Sequence, residues 1–388
     1  MGNRVAIFLL AGVIFFNNYV SPETPYYSLT GKGVQGGLVQ LREVKEMDNH
    51  LQSSHTILSI STLYGDFLVD EPVLLELFQA PELKRLQYMR QHSLEYFIRK
   101  QVSYNRFEHS VGVFCLVRRF GGTLDEQIAA LLHDVSHTVF SHAGAYYFYT
   151  DSRRADAYQD SVHEVFLRES TLPAILNRYG FSIKSILLDQ KTFTHLEQSL
   201  PDICADRFEY NVTGGVYEGL ITKEDAAFIV AHVEYADGKW FFNNLRAAQL
   251  FAPLSLFMTE NLWGSCKDNI TGIWLGDALR HAVECGVINE EMIAHSTDDM
   301  VWNLLVSSED AQLSQLMDKV VHSERYFCID NEHPDKVLYT KFRGIDPLVK
   351  IDGILVRLSE LDPIFKAEFE RVRQVIKNGW SVRLQTKG

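Results

Sequence analysis

Basic residues are in short supply: 37 Lys and Arg stand against 50 Asp and Glu, a formal net charge of −13. The long-range field of such a chain repels a phosphate backbone, so extended nucleic acid is not expected as a partner; a few arginines converging in a cleft could still hold one nucleotide. Cysteine is scarce too. The five thiols, Cys115, Cys204, Cys266, Cys285 and Cys328, include no CxxC pair. That excludes the usual zinc-ribbon and dithiol frameworks and predicts buried free thiols in a reducing, cytoplasmic setting. Internal repeats and low-complexity tracts are missing, and the apolar run near the start, VAIFLLAGVIFF after Arg4, has the length of a signal-peptide core rather than of a membrane span. No small-x-small cleavage site follows it before Pro22, and no cysteine stands where a lipid anchor needs one. Three readings of residues 1–20 stay open: a leader or membrane tether, a buried first element, or a misplaced start. Membrane contact, if any, is expected only through this run.

What is there is the composition of an ordinary globular protein, 46% hydrophobic and 22% charged, with a length that suits one large domain or two smaller ones. Residues 22–55 mix Pro, Gly and Tyr without a period and predict loops and short strands. From Glu71 the texture is helical: VLLELF; PELKRLQYMRQ, with Pro81 at a helix start; RFEHSVGVFCLVRRF, closed by Gly121-Gly122; and LDEQIAALLHDVSH, apolar all round and therefore buried. SVHEVFLRESTLPAILNRYG and ADRFEY continue the pattern, and Gly214-Gly215 predict a helix break after Tyr210. Beyond residue 330, KVLYTKF and GILVRL carry strand residues, and LDPIFKAEFERVRQVIKNGW predicts an amphipathic helix between Asp362-Pro363 and Gly379. The expected architecture is mainly α: an N-terminal segment to residue 55, a helical domain over 56–325, and a small α+β region over 326–388.

Chemistry concentrates in LLHDVSHTVFSH, residues 131–142. Burying His133, Asp134, His137 and His142 without partners costs several kcal/mol, so a metal is the economical reading. On a continuous helix His133 and His137 share one face, with Asp134 at the flank. An isolated His-Asp pair says little, because a lone core histidine is usually just hydrogen-bonded. Here His109 in SYNRFEHSVGV and Asp206 in ADRFEY make two imidazoles and two carboxylates available from three helices.

Taken in order, NRFEHSVGV, HDVSHTVFSH, SVHEVF and ADRFEY resemble the successive motifs of HD-domain phosphohydrolases, nearest in kind to the deoxynucleoside triphosphate triphosphohydrolase branch. STLYGDF and ELKRLQYMRQ upstream match as well, so the resemblance covers about residues 58–215. It implies an HD-domain helical core with His109, His133, Asp134 and Asp206 holding a divalent cation. An N2O2 donor set suits Mn, Mg, Fe, Zn, Co or Ni and does not choose among them. It further implies His163 as the acid for the leaving oxygen with Glu164 orienting it, His137 and His142 at the phosphate or His137 at a second metal, and Arg106 at the phosphates. Gln91 would meet a sugar hydroxyl and Tyr210 would pack on the sugar. Departures from the family pattern fall at Ser136 and Val139, after Tyr210, and in LSLFMTENLWGSC, which offers Trp263 but no Arg or His for a triphosphate. The expected substrate is a small phosphorylated molecule, a nucleotide such as a (deoxy)nucleoside triphosphate, and by analogy the chain forms a homo-oligomer. A non-catalytic metal- and nucleotide-binding regulator and a di-iron oxygenase are the alternatives.

Overall fold

The structure, a computed structural model, describes residues 37–48, 53–92, 94–99, 104–187 and 192–385. The apolar run at 1–20 lies outside these residues, and among the described helices none is long and apolar enough to cross a membrane. An antiparallel meander opens the described chain: β1 (Gln40–Asp48), β2 (Ser53–Thr62) and β3 (Gly65–Val69). The last turn falls within STLYGDF, where Gly65 adopts φ 127° and Thr62 lies opposite it.

The helical body follows. Helix α1 (Arg106–Arg119) starts on a reciprocal cap, in which the Asn105 side chain accepts from the Glu108 amide and the Glu108 carboxylate accepts from the Asn105 amide. Twelve consecutive residues of α1 are buried, so it is the axis of the fold rather than an amphipathic surface helix. Against it pack α2 (Leu124–Leu132), capped by Thr123, and α4 (Ala205–Tyr217), while α3 (Tyr158–Glu169) lies between them in sequence.

The helix break expected after Tyr210 does not occur, for α4 continues through Gly214 and Gly215 to Tyr217. Both glycines serve close approach instead. A Cβ on Gly214 would stand 3.0 Å from Met258 and 3.2 Å from the His92 ring, and one on Gly215 2.9 Å from Leu254. Packing supplies what intrinsic helix propensity lacks at those two positions.

Downstream come the hairpin β4 (Val233–Ala236) and β5 (Lys239–Phe242), then α5 (Leu245–Met258) and α6 (Cys266–Glu284). The C-terminal region is woven into this body. Strands β6 (Phe327–Ile329), β7 (Lys336–Leu338) and β10 (Trp380–Leu384) form one sheet, whereas β8 (Leu348–Ile351) adds in parallel to β5, with β9 (Ile354–Arg357) beyond it. The amphipathic helix α7 (Pro363–Asn378) is capped by Asp362 and ends at Gly379 with φ 77°. Cys115, Cys204 and Cys266 are buried free thiols, but Cys285 is exposed and Cys328 half-buried. Cys285 directly follows the last turn of α6, where the chain leaves the core, and Cys328 lies in the half-buried strand β6.

Candidate metal centre

Three stretches meet around one point. Helix α1 carries Arg106 and His109 one turn apart, α4 brings Asp206 on its first turn, and the chain leaving α2 supplies His133 and Asp134. The sequence led us to expect α2 to run on through His137, yet it stops at Leu132 with His133 as its cap residue. Side chains rather than a further helical turn take the carbonyls released there: Gln159 donates to that of His133 (2.8 Å), and Arg85 to those of Val135 (2.9 Å) and His137 (2.7 Å). His137 is therefore carried to the centre by a turn, its amide on the Asp134 carbonyl (3.1 Å), and not by a shared helix face.

Within the cluster His109 Nε2 lies 3.1 Å from His133 Nε2, 3.1 Å from Asp206 Oδ1 and 3.7 Å from Asp134 Oδ2. His133 Nε2 stands 3.5 Å from Asp134 Oδ1 and 3.7 Å from Asp206 Oδ1. His109, His133 and Asp206 each present a donor atom within 4.8 Å of the other two. The far nitrogens of both rings are engaged, His109 Nδ1 with the buried Glu209 carboxylate at 2.5 Å and His133 Nδ1 with the Ala130 carbonyl at 2.7 Å. In their neutral forms, imidazoles held in this way carry the proton on Nδ1 and can offer the Nε2 lone pair to the centre. Glu209 is the residue that sequence reasoning missed; it lies three positions after Asp206, one helical turn on, and that spacing in ADRFEY was the available signal.

Electrostatics describe the same centre. Burial opposes charge on His109, yet Glu209, Asp206 and Asp134 push its pKa up to about 10. His133 is likewise raised, burial again being outweighed by Asp134 and Asp206. Burial would raise Asp134, but Arg106, His133 and His137 hold it well below its ordinary value, and His109 and His133 hold Asp206 low against the same penalty. Three carboxylates, Asp134, Asp206 and Glu209, thus converge on Arg106 and two imidazoles, and His109 draws a proton to compensate. A divalent cation can replace that proton, so the donors present fit a metal.

Arg106 binds Asp134 Oδ2 at 2.5 Å and Ser141 Oγ at 2.6 Å. Expected at the phosphates, it serves first to fix a carboxylate of the centre, because one helical turn before His109 sets it beneath Asp134. His137 Nε2 approaches Asp134 Oδ1 at 3.2 Å, and its ring packs edge-on against His142, 4.9 Å between centroids, with His142 half exposed. His163 is buried, its Nδ1 at 2.8 Å from Ser136 Oγ, which also accepts from Gln159. Burial first, and His133 second, lower its pKa to about 4. Glu164 does not orient that ring. Its side chain is half exposed and pairs with Arg168 one turn on, since neighbours in a helix point about 100° apart; Ser136 takes the expected part. Tyr210 packs edge-on to Trp263, 5.1 Å between centroids, and the buried Gln91 Oε1 meets no donor among the described residues.

With this geometry in hand, comparison with known proteins is decisive for the class. Residues 106–191 match the HD domain family. The chain is 31% identical over 282 residues to the metal-dependent phosphohydrolase cns2 of Cordyceps militaris, covering 70% of this chain and 79% of that protein. It is 30% identical over 324 residues to YdhJ of Bacillus subtilis, an uncharacterized protein, covering 83% and 97%. A solved phosphohydrolase from Bacteroides thetaiotaomicron shares the fold at TM-score 0.62 and 15% identity, covering 84% of this chain and 98% of the other. The chain belongs to the HD-domain family of metal-dependent phosphohydrolases. Similarity to mouse deoxynucleoside triphosphate triphosphohydrolase SAMHD1 is narrower: 32% identity over 126 residues, 27% of this chain and 19% of that one. A phosphohydrolase of this family depends on a divalent metal.

Proposed function

We propose that this phosphohydrolase cleaves a phosphoester or phosphoanhydride bond of a nucleotide at a cation held by His109, His133, Asp134 and Asp206. The observation that carries it is the convergence of these four side chains beside a buried histidine that bonds none of them, His163. When bound, the cation acidifies a water and polarises a phosphoryl oxygen. Arg106 holds Asp134 in register, and Glu209 holds His109. His163, neutral at rest, takes a proton from solvent as the negative charge of the phosphate arrives, and it gives that proton to the leaving oxygen. Ser136 fixes the ring through Nδ1, so the proton moves at Nε2.

Support for a nucleotide comes from the partial similarity to SAMHD1. It comes also from the Tyr210–Trp263 pair, an apolar wall for a sugar, and from Gln91 Oε1, a buried acceptor that a sugar hydroxyl would satisfy. The non-catalytic alternative drew on the expected glycine break, which is absent. The test is turnover of a panel of nucleoside mono-, di- and triphosphates with manganese. Phosphate or polyphosphate release abolished by His133→Ala is the expected result, and no release from any member would refute the nucleotide reading.

A further inference from the structure

The mouth of the cleft contains a cationic element that comes from the C-terminal region. Between β7 and β8 the chain runs without regular structure past α6 and the start of the helical segment at Ser152. The Tyr339 carbonyl accepts from Asn269 (3.0 Å) and Ser152 (2.6 Å), and Thr340 donates to the Gly264 carbonyl (3.3 Å). Past this anchor, side chains alternate. Phe342 packs inward against Phe369, 5.2 Å between ring centroids, while Lys341 and Arg343 both turn to Asp156. Arg343 bonds Asp156 Oδ1 and Lys341 Nζ stands 3.6 Å from Oδ2.

That carboxylate is linked to the candidate metal centre through two histidines. His142 Nδ1 is 3.9 Å from Asp156 Oδ1, His142 packs on His137, and His137 meets Asp134. Arg343 also lies within electrostatic reach of Tyr210 and Asp206. One carboxylate therefore faces two permanent cations and the half-exposed ring of His142. Asp160 also lies within electrostatic reach of Lys341 and Arg343, so in a chain of net charge −13 these are two basic groups set beside a phosphohydrolase centre and balanced by resident carboxylates. Arg343 gives Asp156 one bond through one nitrogen, which leaves much of its planar fork for a second anion.

We infer that Lys341 and Arg343 grip the phosphate of the substrate, and that Asp156 is the resident anion they exchange for it. The inference rests on the hydrolytic reading for its substrate, but its test does not require turnover. Inorganic phosphate is titrated calorimetrically into the metal-loaded protein and its variants, with thermal unfolding followed alongside. Arg343→Gln should weaken phosphate binding roughly 10- to 100-fold, the worth of one charged hydrogen bond. Lys341→Gln, at an exposed site that tolerates change, should weaken it by about 3- to 10-fold. Asp156→Asn should act in the opposite direction and tighten binding. An ion pair that merely ties the segment down gives another pattern: Asp156→Asn and Arg343→Gln lower the melting temperature together and leave phosphate affinity alone. That pattern, or failure of the wild-type protein to bind phosphate, overturns the inference. Phosphate binding that depends on Arg343 without turnover of any nucleotide would instead sink the nucleotide reading and leave this one standing.

Discussion

The metal centre and the mouth of the cleft differ in almost every physical respect. At the centre, His109, His133, Asp134 and Glu209 are buried, and their charged groups lie within a few ångströms of one another. At the mouth, Lys341 and His142 are about half exposed, and Asp156 and Arg343 keep roughly a fifth to a quarter of their side-chain surface. Removing one partner of a buried charged set leaves an unpaired charge in a poor solvent and costs several kcal/mol; losing an exposed ion pair costs about 1 kcal/mol or less. The centre is thus built to be intact or absent, whereas the mouth can exchange one anion for another at little cost. Evolutionary change of substrate has room at the mouth and almost none at the centre.

Asp206→Ala should break the centre outright, with bound metal and all activity lost, as elemental analysis and turnover will show. Asp202, four residues earlier, is held by Arg357 at 2.5 Å, so Asp202→Ala should keep its metal. The reverse pattern would move the ligand assignment. His163→Ala comes next: the metal stays and the rate falls roughly 10²–10⁴-fold, less for a substrate whose leaving group is already a good anion. Equal losses for good and poor leaving groups would take His163 out of the acid role.

Smaller effects should come from behind the ligands. Glu209→Gln is expected to weaken metal binding by about 10- to 100-fold while leaving the fold intact, the usual consequence of losing a carboxylate behind a ligating histidine. Gly112→Ala should act on the same carboxylate from the other side, because a Cβ there would stand 2.6 Å from Glu209 Oε1. Its loss of metal affinity, read by competition with a chelator, should not add to that of Glu209→Gln; full additivity would separate the two.

Proton release offers a finer measure. The pKa of His109, about 10 against an ordinary 6.5, means that the metal-free fold holds this proton at pH 8 while the unfolded chain does not. Protonated His109 therefore stabilises the metal-free fold fully below pH 6.5, and that contribution is lost as pH rises through about 10. Loading metal at pH 8 should then release roughly one proton from this ring, detected as a dependence of the binding heat on the ionisation enthalpy of the buffer. Smallest of all, Glu164→Gln should change rate by less than about twofold, since its partner is an exposed arginine.

The residues that meet at the centre could be picked out because each sits in a short local signal: His109 near the start of a helix closed by Gly121-Gly122, His133 and Asp134 after AALL, Asp206 in ADRFEY. The mainly helical architecture and the small C-terminal region with strands were legible from periodicity and from β-branched clusters in the same way. Gly214-Gly215 misled because local propensity favours a break, whereas Met258, His92 and Leu254 demand residues without a side chain at that crossing. The end of α2 misled for the converse reason: nothing in LLHDVSH announces a stop, and the groups that take its carbonyls, Arg85 and Gln159, lie 48 residues before His133 and 26 after it.

The chain by itself therefore determined which side chains could hold a metal and the class of chemistry they serve, since donor type and helical spacing are properties of neighbouring residues. Only the tertiary structure decided that Glu209 fixes His109, that Ser136 rather than Glu164 holds His163, and that Arg343 stands at the mouth. Those pairings join residues 27 to 187 positions apart, and contacts at such separation are set by how the elements pack, not by any local pattern.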